Sequence, residues 1–101
     1  MKKLVRDKIP DIIWEQGHIP ITKVVEGDEL ADALNEKLRE EVQEWIDSDT
    51  DAEELADILE VLMAIARHHG ILWSDIEEAR VKKARDRGIF SEGIIWLGNV
   101  R

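Results

Sequence analysis

DELADALNEKLREEVQEWIDSDTDAEELADILEVLMAIARHH, residues 28–69, holds two helical repeats divided by one turn. Leu30, Leu34, Leu38, Val42 and Trp45 recur at helical spacing and form one apolar stripe. They predict a helix from about Asp28 to Asp47. Ser48-Asp49-Thr50 reads as a turn. Thr50, with Glu53 three residues later, matches a capping box and predicts the start of a second helix. Its stripe is Ile58, Val61, Leu62 and Ile65, and it runs to about His69, where Gly70 stops it. A connection of a few residues makes the two helices antiparallel neighbours.

Outside this hairpin the pattern is weaker. Ser74 with Glu77 is a second capping box, predicting a third helix that ends near Gly88. Lys82, Lys83, Arg85 and Arg87 crowd its last turns, where cations complement the helix dipole. Residues 1–27 read as an arm, with a basic extended start at Lys2–Lys8. A short helix then follows over Asp11–Gln16, with Pro10 in its first turn and Gly17 as its stop. The β-branched residues in Pro20–Val25 suggest a short strand. Ile94-Ile95-Trp96-Leu97 is an apolar run expected to be extended and packed. The predicted fold class is all-α: a helical hairpin plus a third helix, completed as a bundle by oligomerisation, with short extended N- and C-terminal segments. Residues 1–101 are expected to form one domain.

The bulk numbers agree with a small helical protein. Of 101 residues, 44% are hydrophobic and 37% charged, a globular balance rather than a disordered one. So short a chain buries limited apolar surface, which favours a homodimer or homotetramer. The net charge of −9 opposes binding to polymeric nucleic acid, which depends on Lys and Arg at phosphates. It leaves room for one small nucleotide whose charge is screened by a cation. No cysteine is present, so disulfides and thiolate metal sites are excluded. The start Met1–Lys8 has no apolar run of signal-peptide length, and no stretch reaches membrane-span length. A cytoplasmic protein with no membrane partner is the expectation.

The chemistry lies in the acids. Glu41 and Glu44 on the first long helix are three apart, as are Glu54 and Asp57 on the second, so each pair shares a face. The turn is centred near residue 49. Glu44 stands opposite Glu54 about that centre, and Glu41 opposite Asp57. At about 100° per residue, Glu41 projects within the stripe of Leu34, Leu38 and Trp45. Glu54 projects among Ile58, Val61 and Ile65. Two like charges about 4 Å apart repel by roughly 4 kcal/mol at an effective dielectric of 20. Either some acids protonate or a cation binds, and a hard divalent ion suits oxygen ligands. Taken singly, either acid pair is also an ordinary solvated helix face. His68 lies 11 residues beyond Asp57, roughly 16 Å along the helix, too far to share a metal with it. His68 and His69 therefore read as ordinary helix-end residues, and Trp14, Trp73 and Trp96 as packing residues.

Glu-Glu-x-x-Glu at 40–44 followed by Glu-x-x-Asp at 54–57 resembles the motif of the MazG-like all-α nucleotide pyrophosphohydrolases. Lys3-Leu4-Val5-Arg6-Asp7-Lys8-Ile9-Pro10 is similar to the opening of the phosphoribosyl-ATP pyrophosphohydrolase-like subgroup. Lys83-Ala84-Arg85-Asp86-Arg87-Gly88-Ile89-Phe90 is similar to its ending. The resemblance covers most of the chain; its turn between the acid pairs is shorter than in many MazG-like sequences. It implies magnesium-dependent (or manganese-dependent) hydrolysis of a nucleoside triphosphate, or related nucleotide, to the monophosphate and pyrophosphate. It also implies Glu41, Glu44, Glu54 and Asp57 as metal ligands.

Hydrolysis of a phosphoanhydride needs an activated water, charge neutralisation and in-line positioning. Glu40, or one of the four ligand acids, would act as general base. Lys83 and Arg87 would hold the departing pyrophosphate, with help from Arg6 and Lys8. Nucleotide-pool housekeeping is the expected role. The alternatives are hydrolysis of phosphoribosyl-ATP and a non-catalytic helical oligomer that binds a nucleotide or protein.

Overall fold

The computed structural model describes residues 2–101; Met1, part of the expected arm, lies outside the described residues. The chain is all-α. Among the described residues there are four helices and no strand: α1 (Ile9–Glu15), α2 (Gly27–Asp47), α3 (Ala52–His68) and α4 (Trp73–Arg87). Two compact units are present, one extending to Gly70 and the other comprising Ile71–Arg101.

In the first unit, α1 carries a proline in its opening positions and Asp11 in its first turn. Gly17, at φ +88°, takes the left-handed backbone that ends the segment. Pro20–Val25 is irregular rather than a strand, and Ile21 and Val24 are exposed. β-branched residues favour extended backbone, but a strand needs a partner for its N–H and C=O groups. The described residues supply none.

The start of α3 also differs from expectation. The cap is Asp51, whose Oδ1 accepts from the Glu53 backbone N–H at 2.9 Å. Thr50 has φ +61°, a left-handed turn conformation that cannot serve as the extended N-cap. Asp51 adds a negative charge where the helix dipole favours one.

α2 packs on α3 through a small core. Leu34, Val61 and Ala66 are buried, with Leu30, Leu38, Trp45, Ile58 and Ile65 half-buried around them. Val42 and Leu62, expected within the stripes, lie exposed at their margins. Ile46, Leu55 and Leu59 are also exposed. A two-helix seam shields only one side of each helix, so this apolar surface stays open. The one buried polar residue among those described is Glu41, 5% exposed.

In the second unit, α4 begins at Trp73 after an extended Leu72, and no side chain caps it. Ser74 lies inside the first turn, so the expected Ser74–Glu77 capping box does not form. Instead the Leu72 carbonyl accepts from the N–H groups of Asp75 (3.0 Å) and Ile76 (3.3 Å), which places the cap two residues before Ser74. Gly88, at φ +81°, closes α4 by donating its N–H to the Ala84 carbonyl at 2.9 Å. Residues 89–101 form no regular element. Ile94, Ile95, Trp96 and Leu97 are all exposed, so the packing expected of this run is not made within the described residues. Trp96 instead donates its indole N–H to Asn99 Oδ1 at 3.0 Å. No helix among the described residues is long and apolar enough to cross a membrane.

Candidate metal centre

The seam of the hairpin gathers five carboxylates in two overlapping triads. Glu40, Glu41 and Glu44 on α2 form one; Glu41 joins Glu54 and Asp57 of α3 in the other. Within each triad, one carboxylate oxygen per residue lies within 4.8 Å of the others. Glu41 belongs to both triads. Helical periodicity explains this: Glu41 follows Leu34 by seven residues, two turns of helix, and so occupies the same inward stripe.

Burial makes the arrangement chemically pointed. Glu41 Oε2 and Glu54 Oε2 are both buried without a hydrogen-bond partner. A buried acceptor left unmade costs the desolvation of that group, and more when it is charged. Three of the other oxygens are met by cations: Glu41 Oε1, Glu40 Oε1 and Asp57 Oδ1. Lys37 Nζ lies 3.1 Å from Glu41 Oε1 and 3.5 Å from Glu40 Oε1. Lys3 Nζ stands 3.7 Å from Glu40 Oε1, and Arg6 donates to Asp57 Oδ1 at 2.7 Å.

The titration of the cluster reflects this crowding. The carboxyl of Glu44 is raised above its ordinary range, first because its protonated form would donate a hydrogen bond to the Glu41 carboxylate, then by burial and by repulsion from Glu41, Glu54 and Glu40. Glu54 is raised as well, first by burial, then by Asp57, Asp51 and Glu41. For Lys37 burial is the largest influence and lowers its pKa. Its pairing with Glu41 and Glu40 outweighs this, so the net shift is upward. Glu44 and Glu54 therefore hold protons more tightly than free carboxylates do, while Lys37 keeps its charge beside them.

Two orphaned carboxylate oxygens facing one seam fit a hard divalent cation. All available donors are carboxylate oxygens, the set that magnesium, manganese and calcium prefer.

No family model and no solved structure matches the chain. The chain is similar to an uncharacterized protein of Mycolicibacterium smegmatis, 44% identical over 50 residues. That stretch is 50% of this chain and 51% of the relative, so the chain spans about half of that protein's length.

The other expected site residues stand as follows. Arg6 sits on the cluster through Asp57. Lys8 is exposed at the start of α1. Lys83 and Arg87 are exposed on α4, in the second unit. His68 and His69 stack edge to face at the end of α3, with ring centroids 5.0 Å apart, and belong to neither triad. Sequence reasoning missed Lys37 and Lys3. The signal for Lys37 was present: it precedes Glu40 by three residues and Glu41 by four, on the inward face of α2. Nothing in the sequence tied Lys3 to Glu40 across the fold.

Proposed function

We propose that this protein is a magnesium-dependent nucleotide pyrophosphohydrolase of the MazG-like kind, acting in nucleotide-pool housekeeping in the cytoplasm. The observation that carries the reading is the buried, partnerless Oε2 of Glu41, facing the carboxylates of a second helix. Glu41, Glu54 and Asp57 would hold the ion, with Glu44 at its margin; manganese could replace magnesium. Bound there, the ion would supply charge neutralisation for phosphate oxygens and a more acidic water.

The chain's own groups account for the rest. Glu40 and Glu44 both lie outside the triad that spans the two helices; with Glu44 at the margin of the ion, Glu40 is the carboxylate we assign to take a proton from the attacking water. Arg6, already seated beside Asp57, would offset the charge of the nucleotide phosphates, with Lys8 on the same arm. Lys83 and Arg87 lie in the second unit, and their phosphate-binding role rests on the sequence resemblance alone. Water adds at one phosphorus, the anhydride bond breaks, and monophosphate and pyrophosphate leave. The exposed face of Val42, Ile46, Leu55, Leu59 and Leu62 favours a bundle completed by a second copy, as a homodimer or homotetramer.

The test is a panel of nucleoside triphosphates, together with phosphoribosyl-ATP, assayed for pyrophosphate with and without magnesium. Pyrophosphate that requires magnesium, and that falls at least about a hundredfold with Glu41→Gln, is expected. If no substrate in the panel yields pyrophosphate, the enzyme reading fails and a helical binding oligomer replaces it.

A further inference from the structure

The cations around the acid cluster are arranged oxygen by oxygen. Lys37 takes Oε1 of Glu41 and leaves Oε2 free; Arg6 takes Oδ1 of Asp57. Lys37 and Lys3 both approach Oε1 of Glu40. Lys37 differs from the other two in depth: its side chain is mostly buried, while those of Lys3 and Arg6 are about half exposed. A buried ammonium wedged between two carboxylates has little freedom to swing away.

This matters for the choice of ion. Calcium accepts six to eight oxygens at flexible geometry and readily takes both oxygens of one carboxylate. Magnesium is smaller, demands near-octahedral coordination and takes single oxygens. A carboxylate with one oxygen already bound to a lysine can offer only the other. We infer that Lys37 is a specificity-determining positioning residue: by holding Glu41 Oε1 it restricts Glu41 to one-oxygen ligation and so favours magnesium or manganese over calcium. The inference rests on the metal reading of the seam.

Lys37 contributes a second effect that must be kept apart. Its charge repels every divalent ion, so its loss strengthens binding of calcium and magnesium alike. Charge therefore changes both affinities, while occupancy of Oε1 changes their ratio. Two substitutions separate these. Lys37→Met removes charge and hydrogen bonds. Lys37→Gln removes the charge and keeps an N–H donor four residues before Glu41, a spacing at which glutamine reaches a carboxylate on the same helix.

The experiment is calorimetric titration of the metal-free wild type and both variants with magnesium and with calcium, with no nucleotide present. The expected result is a rise of at least about tenfold in the calcium-to-magnesium affinity ratio for Lys37→Met. Lys37→Gln is expected to stay within about threefold of the wild-type ratio. If Lys37→Met is unfolded without metal, the concentration of each ion needed to fold it, followed by circular dichroism, gives the same ratio. An unchanged ratio in Lys37→Met, with binding intact, overturns the inference and leaves the metal centre standing. A wild type that binds neither ion overturns the metal reading, and this inference with it.

Discussion

Lys37–Glu41 on α2 and Lys82–Asp86 on α4 are the same interaction by spacing and nearly by length. Each is an i, i+4 ion pair, at 3.1 Å and 3.0 Å. Their surroundings differ. The side chains of the first pair are 16% and 7% exposed; those of the second are 72% and 51% exposed. A contact list would score the two alike. Physical chemistry does not, because the cost of losing a partner depends on whether water can replace it.

The largest expected effect follows directly. Lys37→Met, in the absence of metal, leaves Glu41 buried with neither cation nor water. Breaking a buried pair by removing one partner costs roughly 3 kcal/mol or more. Methionine has nearly the helix propensity of lysine, so the change tests the pair and not the helix. Urea denaturation is expected to show an unfolding free energy lowered by that amount, read as a lower midpoint at unchanged slope. Saturating magnesium is expected to recover much of the loss. A cost below about 0.5 kcal/mol would mean that Glu41 finds water, and the seam would no longer differ from the surface.

The same contrast extends to pH. In the seam, Glu44 and Glu54 are raised above their ordinary value of 4.5. On α4, Glu77 is lowered from the same value by its hydrogen bond and charge pairing with Arg80. The signs are opposite. A raised acid contributes stability that is complete below its unfolded pKa and is lost as pH rises through the folded one. A lowered acid contributes stability that is present above its unfolded pKa and is lost as pH falls through the folded one. The metal-free protein is therefore expected to lose stability as pH climbs from about 4.5 through the raised values of Glu44 and Glu54. Glu44→Gln/Glu54→Gln should flatten that decline, whereas Glu77→Gln should leave it intact and reduce stability only above the ordinary glutamate range. Metal affinity is expected to rise over the window in which the seam acids give up their protons. Wild-type stability that rose steadily across it would contradict the upward shifts.

How much of this was legible beforehand depends on the range of each signal. The hairpin was legible because apolar periodicity is a local property of each helix: Leu34 and Val61 are buried where their stripes put them. The inward placing of Glu41 was legible for the same reason. The start of α3 was not, because Thr50 and Asp51 are both good caps by composition, and only the left-handed backbone at Thr50 decides between them. The strand at Pro20–Val25 failed because propensity cannot supply a partner strand. Within the acid cluster, the two pairs were read as one set of four, whereas the geometry is two triads hinged on Glu41. Lys37 and Lys3 were the larger omission, and Arg6, expected at the phosphates, was not foreseen on Asp57. Lys3 and Arg6 reach Glu40 and Asp57 from far along the chain, and no short-range pattern encodes that.

The smallest expected effect lies on α4, and it makes the contrast with the seam quantitative. Lys82→Met removes a pair of the same spacing and length as Lys37–Glu41, again with little change in helix propensity. Both partners are mostly in water, so Asp86 is rehydrated at once, and ordering two long side chains had already offset much of the Coulomb gain. The expected loss is below about 0.5 kcal/mol at low salt. It should shrink further at high salt, where exposed charges are screened within a few ångströms. Urea midpoints for wild type, Lys37→Met and Lys82→Met at two salt concentrations give the comparison. The seam variant should keep nearly its full deficit as salt is raised, because screening ions do not enter a buried pair, while the α4 variant converges on wild type. Equal, salt-sensitive losses for both would show that spacing alone governs these pairs, and the depth of Glu41 would then explain nothing about its chemistry.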